Sequence, residues 1–362
     1  MAATPALLPV SGCGRKGPAC FIVEAGNSRL MLDLGYGPQP GLWPDVSRVG
    51  RIDALLLSHG HADHAGGLKL LPEIGNPPVY ATDIVARGLP AHVSLRSLPL
   101  SGSTDVLGLR VTTGRSGHAP GGIWLHLALG DDLLYMGDNS NESALYAWDA
   151  PPPAGTLILD ASYGDYDIPI AQCQKALAEF FAAPEGLLLP VPENGRGPEI
   201  ALHLLRSGHP LPRIDERMRK ALQRLVTSDV ACLRSGVAVE LARIADSAPA
   251  CGAPGGITLA SRADGTAGDA AELLARWESR DTPAIVFTGY LPPDTPAERL
   301  TRSGRARYLR WNVHPRLSDN ARLVKSVGAR TVLPAFGDAK HLAAWQSAFA
   351  PSRVVTSGRV EL

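Results

Sequence analysis

Residues 58–64 read Ser-His-Gly-His-Ala-Asp-His, which places four metal-competent side chains, His59, His61, Asp63 and His64, within six positions. Neutral imidazole and carboxylate are good zinc ligands, and a catalytic zinc keeps one position open for water. On an extended segment His59 and His61 point the same way, because their spacing is two. Asp63 and His64 come after a turn that Gly60 and Ala62 make sterically easy. One pair can hold one ion and the other pair a second. Two ions so placed would clamp a phosphoryl group and supply hydroxide at neutral pH. Three of the ten histidines fall in this short run, which argues against a chance surface cluster. A purely structural zinc would usually be a closed site rich in cysteine.

Three further segments have the same character, a polar group beside a small residue at the end of an apolar run. They are Gly117-His118-Ala119-Pro120-Gly121-Gly122, Leu134-Tyr135-Met136-Gly137-Asp138, and Leu157-Ile158-Leu159-Asp160-Ala161-Ser162-Tyr163-Gly164. Layered α/β folds build sites at such strand ends. Alone, each is an ordinary turn. Together with His59 and His61 they complete a two-metal site.

The elements that must position these residues follow from periodicity. Ile52 to Leu57 is apolar enough to be a buried strand feeding the histidine motif. Residues 20–34 alternate as a hairpin about Gly26-Asn27. A helix is expected to start at 65–71. Further strands are expected at 78–81, 105–113, 123–129, 132–136 and 156–160. From 168 onward helix and strand alternate, as in an α/β insert. Helices are expected at 168–182, 199–206, 213–225, 237–246 and 267–279. Strands are expected at 186–191, 282–288, 306–311 and 329–335. The Pro- and Gly-rich stretch 247–256 reads as an exposed loop.

Composition sets the outer bounds. The 362 residues suit one large or two ordinary domains, and 45% hydrophobic content supports a sizeable core. Thirty-five basic and thirty-five acidic residues cancel, so charge alone neither requires nor excludes a nucleic-acid partner. The five cysteines, Cys13, Cys20, Cys173, Cys232 and Cys251, are odd in number and scattered without a CxxC pair. Reduced thiols in a cytoplasmic protein are the expectation. Residues 1–10 carry no positive charge, so no signal peptide is expected. No apolar stretch approaches the roughly 20 residues that span a bilayer, so no membrane partner is expected.

Taken together, the motifs resemble the metallo-β-lactamase superfamily. The match runs in order through Leu32-Asp33-Leu34-Gly35, the HxHxDH signature at 59–64, Gly117-His118 and Gly137-Asp138. The resemblance implies an αββα sandwich. It implies that His59, His61 and His118 hold one zinc, that Asp63 and His64 hold another, and that Asp138 bridges both. The second half resembles the β-CASP branch, nucleases with an α/β insert. Leu157 to Gly164 is similar to its "LIxE/DSTYG" segment, residues 187–204 to its "PxFxxGRxQE" segment with Gly195, Arg196 and Glu199 kept, and Phe287-Thr288-Gly289-Tyr290 to its "GY" strand. His314 lies where the branch has its "SxH" motif, with Asn312 in place of serine and Pro315-Arg316 in place of the usual small-acidic pair. The implied roles are Asp160 orienting His314, and His314 donating a proton to the leaving oxygen. Asp63 would orient the nucleophile. The expected domains are 1–185 and 296–362 for the sandwich and 186–295 for the insert.

One departure stands out. RNA-directed members carry a further metal-binding histidine in an "HG" motif, and here that position is Phe336, followed by Gly337-Asp338. DNA-directed members also lack it. The expectation is two zinc sites with a weakly held second ion, Mn2+ as an alternative metal, and His341 as a candidate substitute ligand. Nucleic acid, RNA or single-stranded DNA, is the expected partner, and a homodimer is allowed. The chain stops at Leu362, which leads to the expectation that it lacks the extra dimerisation domain of some bacterial relatives. A positive path to the site would be needed. Arg196, Arg310 and Arg316 are the candidate phosphate contacts, with basic clusters at Arg213, Arg217, Arg219, Lys220 and Arg224 and around Arg302, Arg305 and Arg307. Two other readings are open: hydrolysis of a small phosphodiester or ester, and a non-catalytic scaffold subunit.

Overall fold

The computed structural model describes residues 4–181, 185–252 and 255–362. The chain forms two compact units. The first takes Met1–Asn141, Ala147–Asp167 and His314–Leu362; the second takes Glu142–Tyr146 and Ile168–Val313. The second thus reaches beyond 186–295 on both sides. Phe181, at the end of helix Ile170–Phe181, packs its ring on His203 and His209. Strand Arg307–Tyr308 pairs with Ala284–Phe287 as an edge of the same sheet. The last expected residue of the helix at 168–182 and two residues of the loop at 247–256 lie outside the described residues.

In the first unit the described residues form two seven-stranded sheets. The first sheet runs Val360–Glu361, Ala6–Ser11, Cys20–Ala25, Ser28–Leu32, Ala54–Leu56, Val79–Ala81, Leu95–Ser97. The second runs Arg353–Val354, Thr331–Ala335, Thr156–Asp160, Leu133–Tyr135, Ile123–Leu127, Leu109–Arg115, Gly102–Val106. Strand alternation sorts the side chains into layers. Phe21, Val23, Leu30, Leu32 and Leu56 of the first sheet share one core with Ile123, Leu125, Tyr135, Ile158 and Leu333 of the second. Burying each such side chain contributes about 1.5–3 kcal/mol. The intervening Ile22, Met31, Leu55 and Leu57 face outward against Leu68, Leu71 and Ile74. Leu134, Leu157, Leu159 and Val332 likewise meet Leu323, Val324, Val327 and Trp345 from two helices. The result is the expected αββα sandwich.

The hairpin at 20–34 forms with Ala25 opposite Ser28. The stretch 105–113 is two strands, because Leu107 and Gly108 both adopt positive φ and close a tight turn between Val106 and Leu109. An exposed leucine at a turn position hides that turn in the sequence.

In the second unit the described strands form a five-stranded parallel sheet, ordered Arg213–Ile214, Ile257–Ser261, Leu187–Val191, Ala284–Phe287, Arg307–Tyr308. Leu188, Ala260, Ile285 and Phe287 pack against Leu273, Leu274, Trp277 and Leu300 from helices Gly268–Trp277 and Pro296–Arg302. The parallel order explains the near-continuous apolar runs of Leu187–Val191 and Ala284–Phe287, as both faces are covered. No helix among the described residues is long and apolar enough to cross a membrane.

Candidate metal centre

Strand ends build the centre. Ala54–Leu56 runs parallel to Ser28–Leu32, so Asp33 and the histidine motif emerge together. Leu133–Tyr135, Thr156–Asp160 and Thr331–Ala335 are parallel neighbours, so Asp138, Asp160 and Phe336 emerge together from the other sheet. His61 caps the short helix Ala62–Ala65, which carries Asp63 and His64. Two glycines make the approach possible. A Cβ on Gly137, at φ 55°, would lie 2.6 Å from the Ser58 side chain. A Cβ on Gly117, at φ 73°, would lie 2.1 Å from the Ser140 carbonyl oxygen. Larger residues there would push Asp138 and His118 out of place.

One ligand atom from each of His59, His61, His118 and Asp138 lies within 4.8 Å of all the others. His118 Nε2 is 3.1 Å from His61 Nδ1 and 3.5 Å from Asp138 Oδ2; His59 Nε2 is 3.7 Å from the same oxygen. Ligands about 2.0–2.1 Å from a tetrahedral ion sit roughly 3.3 Å apart, so these spacings fit a single ion. One of the donors, His59 Nε2, is buried without a hydrogen-bond partner, and burying a polar atom that way is costly unless an ion takes it. Burial, then the neighbouring imidazoles, drives the His59 pKa well below its usual value. Burial and His118 bring His61 down to about 4. Both are therefore neutral at physiological pH, the form that ligates a metal.

Asp63, His64 and Asp138 make a second cluster of donors within 4.8 Å. Here burial lowers the His64 pKa, but Asp138 and Asp33 outweigh it and raise the value well above the ordinary one. His64 Nδ1–H donates to Asp33 Oδ2 at 2.7 Å, which turns Nε2 toward Asp138 Oδ1, 3.2 Å away. Asp33 is fully buried and also accepts from the Ser58 amide and hydroxyl and from Tyr135 Oη. Such supporting hydrogen bonds fix the tautomer and orientation of a ligand. Phe336 offers no donor: its ring stands edge-on to His64, with centroids 4.9 Å apart, and packs against Phe21. The candidate substitute His341 is not among the clustered donors and pairs with Asp165 at 3.1 Å.

His314 and Asp160 also meet. His314 Nδ1–H donates to Asp160 Oδ2 at 2.7 Å and lies 3.8 Å from Asp138 Oδ2. Burial raises the Asp160 pKa; the charge and hydrogen bond of His314, with Ser162, overcome this and bring it to about 2. Burial lowers the His314 pKa, but Asp160 and Asp138 carry it above the ordinary value. The Tyr163 ring stands edge-on to His314. Asp33 and Lys16 went unrecognised in the sequence. Lys16 is close enough for its charge to lower the pKa of both Asp63 and His314. Asp33 had a signal, a carboxylate closing an apolar strand; Lys16 had none.

The candidate cations are partly spent on the fold. Arg316 Nε and Nη2 donate to Asp319 at 2.8 and 3.1 Å. Arg305 donates to the carbonyls of Glu278, Trp277 and Pro283. Arg217 and Lys220 pair with Glu193 and Glu216, and Arg219 holds the carbonyls of Ala245 and Ala248. Arg196 opens helix Arg196–Arg206 and lies over Gly289, where an added Cβ would meet the guanidinium at 2.2 Å. Arg196 and Arg310 belong to the second unit and Arg316 to the first.

Residues 13–190 match the family model described as the metallo-beta-lactamase superfamily. An uncharacterized protein of Synechocystis is 31% identical over 227 residues, 56% of this chain and 40% of the relative. A protein of Methanosarcina mazei named transcription termination factor FttA is 27% identical over 197 residues, 43% of this chain and 31% of the relative. A protein of Thermus thermophilus named as a ribonuclease is 28% identical over 231 residues, 54% of this chain and 53% of the relative. The chain thus matches between 31% and 53% of the length of these relatives. Among solved structures, a protein of unknown function from Enterococcus faecalis superposes with a TM-score of 0.62 at 12% identity, over 99% of this chain and 100% of that one, which shows a shared fold.

Proposed function

As the chain belongs to the metallo-β-lactamase superfamily, we propose that it is a metal-dependent phosphodiesterase, a β-CASP-like nuclease that cleaves RNA or single-stranded DNA. One observation carries this reading. A histidine held by a buried carboxylate stands beside the clustered donors, with His314 Nδ1 2.7 Å from Asp160 and 3.8 Å from Asp138. A scaffold, or a site that merely stores metal, has no need of such an acid.

His59, His61, His118 and Asp138 would hold the first ion, and Asp63, His64 and Asp138 a weaker second one. Zn2+ or Mn2+ bound there would polarise a phosphoryl oxygen and lower the pKa of water toward about 7. Asp63 would accept the proton of the attacking water and orient it. His314 would donate a proton to the leaving oxygen. Asp160 favours the charged form of His314 and keeps the ring turned, with Nδ1 engaged and Nε2 left for the transfer. Lys16 adds positive charge near the phosphate, and Arg196 and Arg310 would hold phosphates along the strand. Arg316, engaged by Asp319, is set aside from that role.

The test uses labelled single-stranded RNA, single-stranded DNA and a small phosphodiester, each with Zn2+ or Mn2+. Polymer cleavage that Asp63→Ala abolishes supports the reading. Turnover of the small ester alone would replace it with small-molecule hydrolysis. Bound metal without any turnover would leave a scaffold.

A further inference from the structure

Strands Ala6–Ser11 and Cys20–Ala25 are joined by a loop, residues 12–19, that is fastened to the second donor cluster from two sides. On one side the Ala19 amide donates to the Asp63 carbonyl at 2.8 Å. On the other the Phe336 amide donates to the Gly12 carbonyl at 2.6 Å and the Ala339 amide to that of Gly14 at 2.9 Å. Cys13 pairs with Ala335 as an isolated antiparallel bridge. Ser11 Oγ donates to the Pro18 carbonyl at 2.5 Å and ties the neck. Gly12 and Gly14 take φ of 82° and 71°, which lets the chain turn there. A Cβ on Gly12 would stand 3.3 Å from the Phe336 ring, so the loop lies directly on that ring. Backbone held at this many points fixes where its side chains start.

The tip of this loop carries two cations, Arg15 and Lys16. Arg15 is exposed and Lys16 is partly buried. At Asp63 burial pushes the pKa up, and the charges of His64, His61 and Lys16 hold it below the ordinary value. At His314 burial and Lys16 both work against the lift from Asp160 and Asp138. One ammonium is thus felt by the proposed proton acceptor and by the proposed proton donor, the two groups that a phosphoryl centre would lie between. Counting charge shows what it does there. One divalent ion faces the Asp63 and Asp138 carboxylates and a phosphodiester, which leaves one negative charge over, while His314 and Asp160 offset each other. The second cluster shares Asp138 with the first, and Phe336 at its edge offers no donor. The strand end that fails to supply a ligand is the one that holds the loop bearing the cation.

We propose that Lys16 stands in for the second ion: it supplies the second positive charge against the phosphate while the Asp63, His64 and Asp138 cluster is empty, and its charge keeps that cluster weak toward a cation. This rests on the nuclease reading above and deepens it. Lysine suits the part, as a compact point charge that holds phosphate without demanding a bidentate geometry. Partial burial shields it from the salt that screens an exposed cation such as Arg15.

Lys16→Met keeps the length of the side chain and removes its charge. Equilibrium dialysis against Zn2+ with no substrate present should show the second ion held about tenfold or more tightly by this variant than by the parent chain. Lys16→Arg keeps the charge and should hold the second ion as weakly as the parent does. With one equivalent of Zn2+, inorganic phosphate should bind Lys16→Met about tenfold more weakly than the parent, and a second equivalent should restore that binding. Circular dichroism shows whether each variant is folded, and Lys16→Gln repeats the comparison if the methionine variant is not. Equal second-ion affinity in the folded variant and the parent, or phosphate binding at one equivalent that the substitution leaves untouched, would each overturn the stand-in. If polymer is cleaved while both affinities stay unchanged, Lys16 has no such part and the nuclease reading survives. If both affinities move as stated but no polymer is cleaved, the nuclease reading fails and the stand-in survives.

Discussion

The division of labour between His314 and the clustered donors can be tested by choice of leaving group. His314 is needed only where the departing oxygen is a poor leaving group. His314→Gln should therefore lower the rate on an oligonucleotide by about 10²–10⁴-fold. The same variant should change the rate on a p-nitrophenyl diester by less than about tenfold, because that phenolate leaves without a proton. An equal loss on both substrates would make His314 a positioning residue. Phe336 can be tested by metal content. Its ring occupies the His64 edge of the second cluster, at a φ of 63° that histidine tolerates better than phenylalanine. Phe336→His should raise tightly held metal from one equivalent toward two by elemental analysis, and an unchanged single equivalent would show that this position does not limit the second ion. At this scale the sequence pointed to His59, His61, Asp63 and His64 by their crowding within six positions, and to His118, Asp138 and Asp160 because each follows an apolar run beside a small residue. It was silent on what steadies them. Asp33 and His64 lie 31 positions apart, and no local pattern records that one holds the other.

Elements decide how closely these groups converge. The Gly137 turn is the tightest constraint, because both its φ of 55° and its approach to Ser58 exclude a side chain. Gly137→Ala should cost about 1–3 kcal/mol in denaturant unfolding and weaken metal binding as well. Unaltered stability would mean that the strand end shifts freely. In the second unit, helix Arg196–Arg206 buries Glu199 between the Ser143 hydroxyl and the Trp311 indole, which both donate to it. Burial raises the Glu199 pKa, and these hydrogen bonds with Arg196 and Arg234 only partly offset it. A folded pKa above the unfolded one means that the folded state binds the extra proton. Its stabilising contribution is therefore complete below about pH 4.5 and is lost as pH rises through the folded value. Glu199→Gln should flatten unfolding free energy against pH above about pH 4.5, and an unchanged slope would assign that dependence to other groups. Element reading failed where polar residues interrupt the pattern. Helix Leu317–Val327 went unnoticed because buried Asp319 and Asn320 face inward to hold Arg316, Arg322 and the Asp160 carbonyl. An apolar stripe is the signal that sequence reading follows, and those two positions break it.

For the molecule as a whole, the two units give different reasons for stability, and metal should act on only one of them. Every clustered donor belongs to the first unit, on strand ends that both of its sheets contribute. The second unit rests on a parallel sheet covered by helices, and none of its described residues offers a donor to those clusters. Its class was legible from the alternation of helix and strand after residue 168, but its edges were not. Its outlying segments, Glu142–Tyr146 and 296–313, are short, and pairing across the chain, as of Arg307–Tyr308 with Ala284–Phe287, is what assigns the latter. An ion that binds the folded first unit and not the unfolded chain adds about 2.7 kcal/mol at a concentration a hundredfold above its dissociation constant. For a unit of this size that corresponds to roughly 5–10 °C in its melting temperature. Calorimetry should therefore show two transitions, one rising by that amount on addition of Zn2+ and falling with chelator, the other unmoved. A shift of neither transition would mean that the clustered histidines and aspartates do not hold an ion in the folded state. A shift of both together would mean that the two units unfold as one.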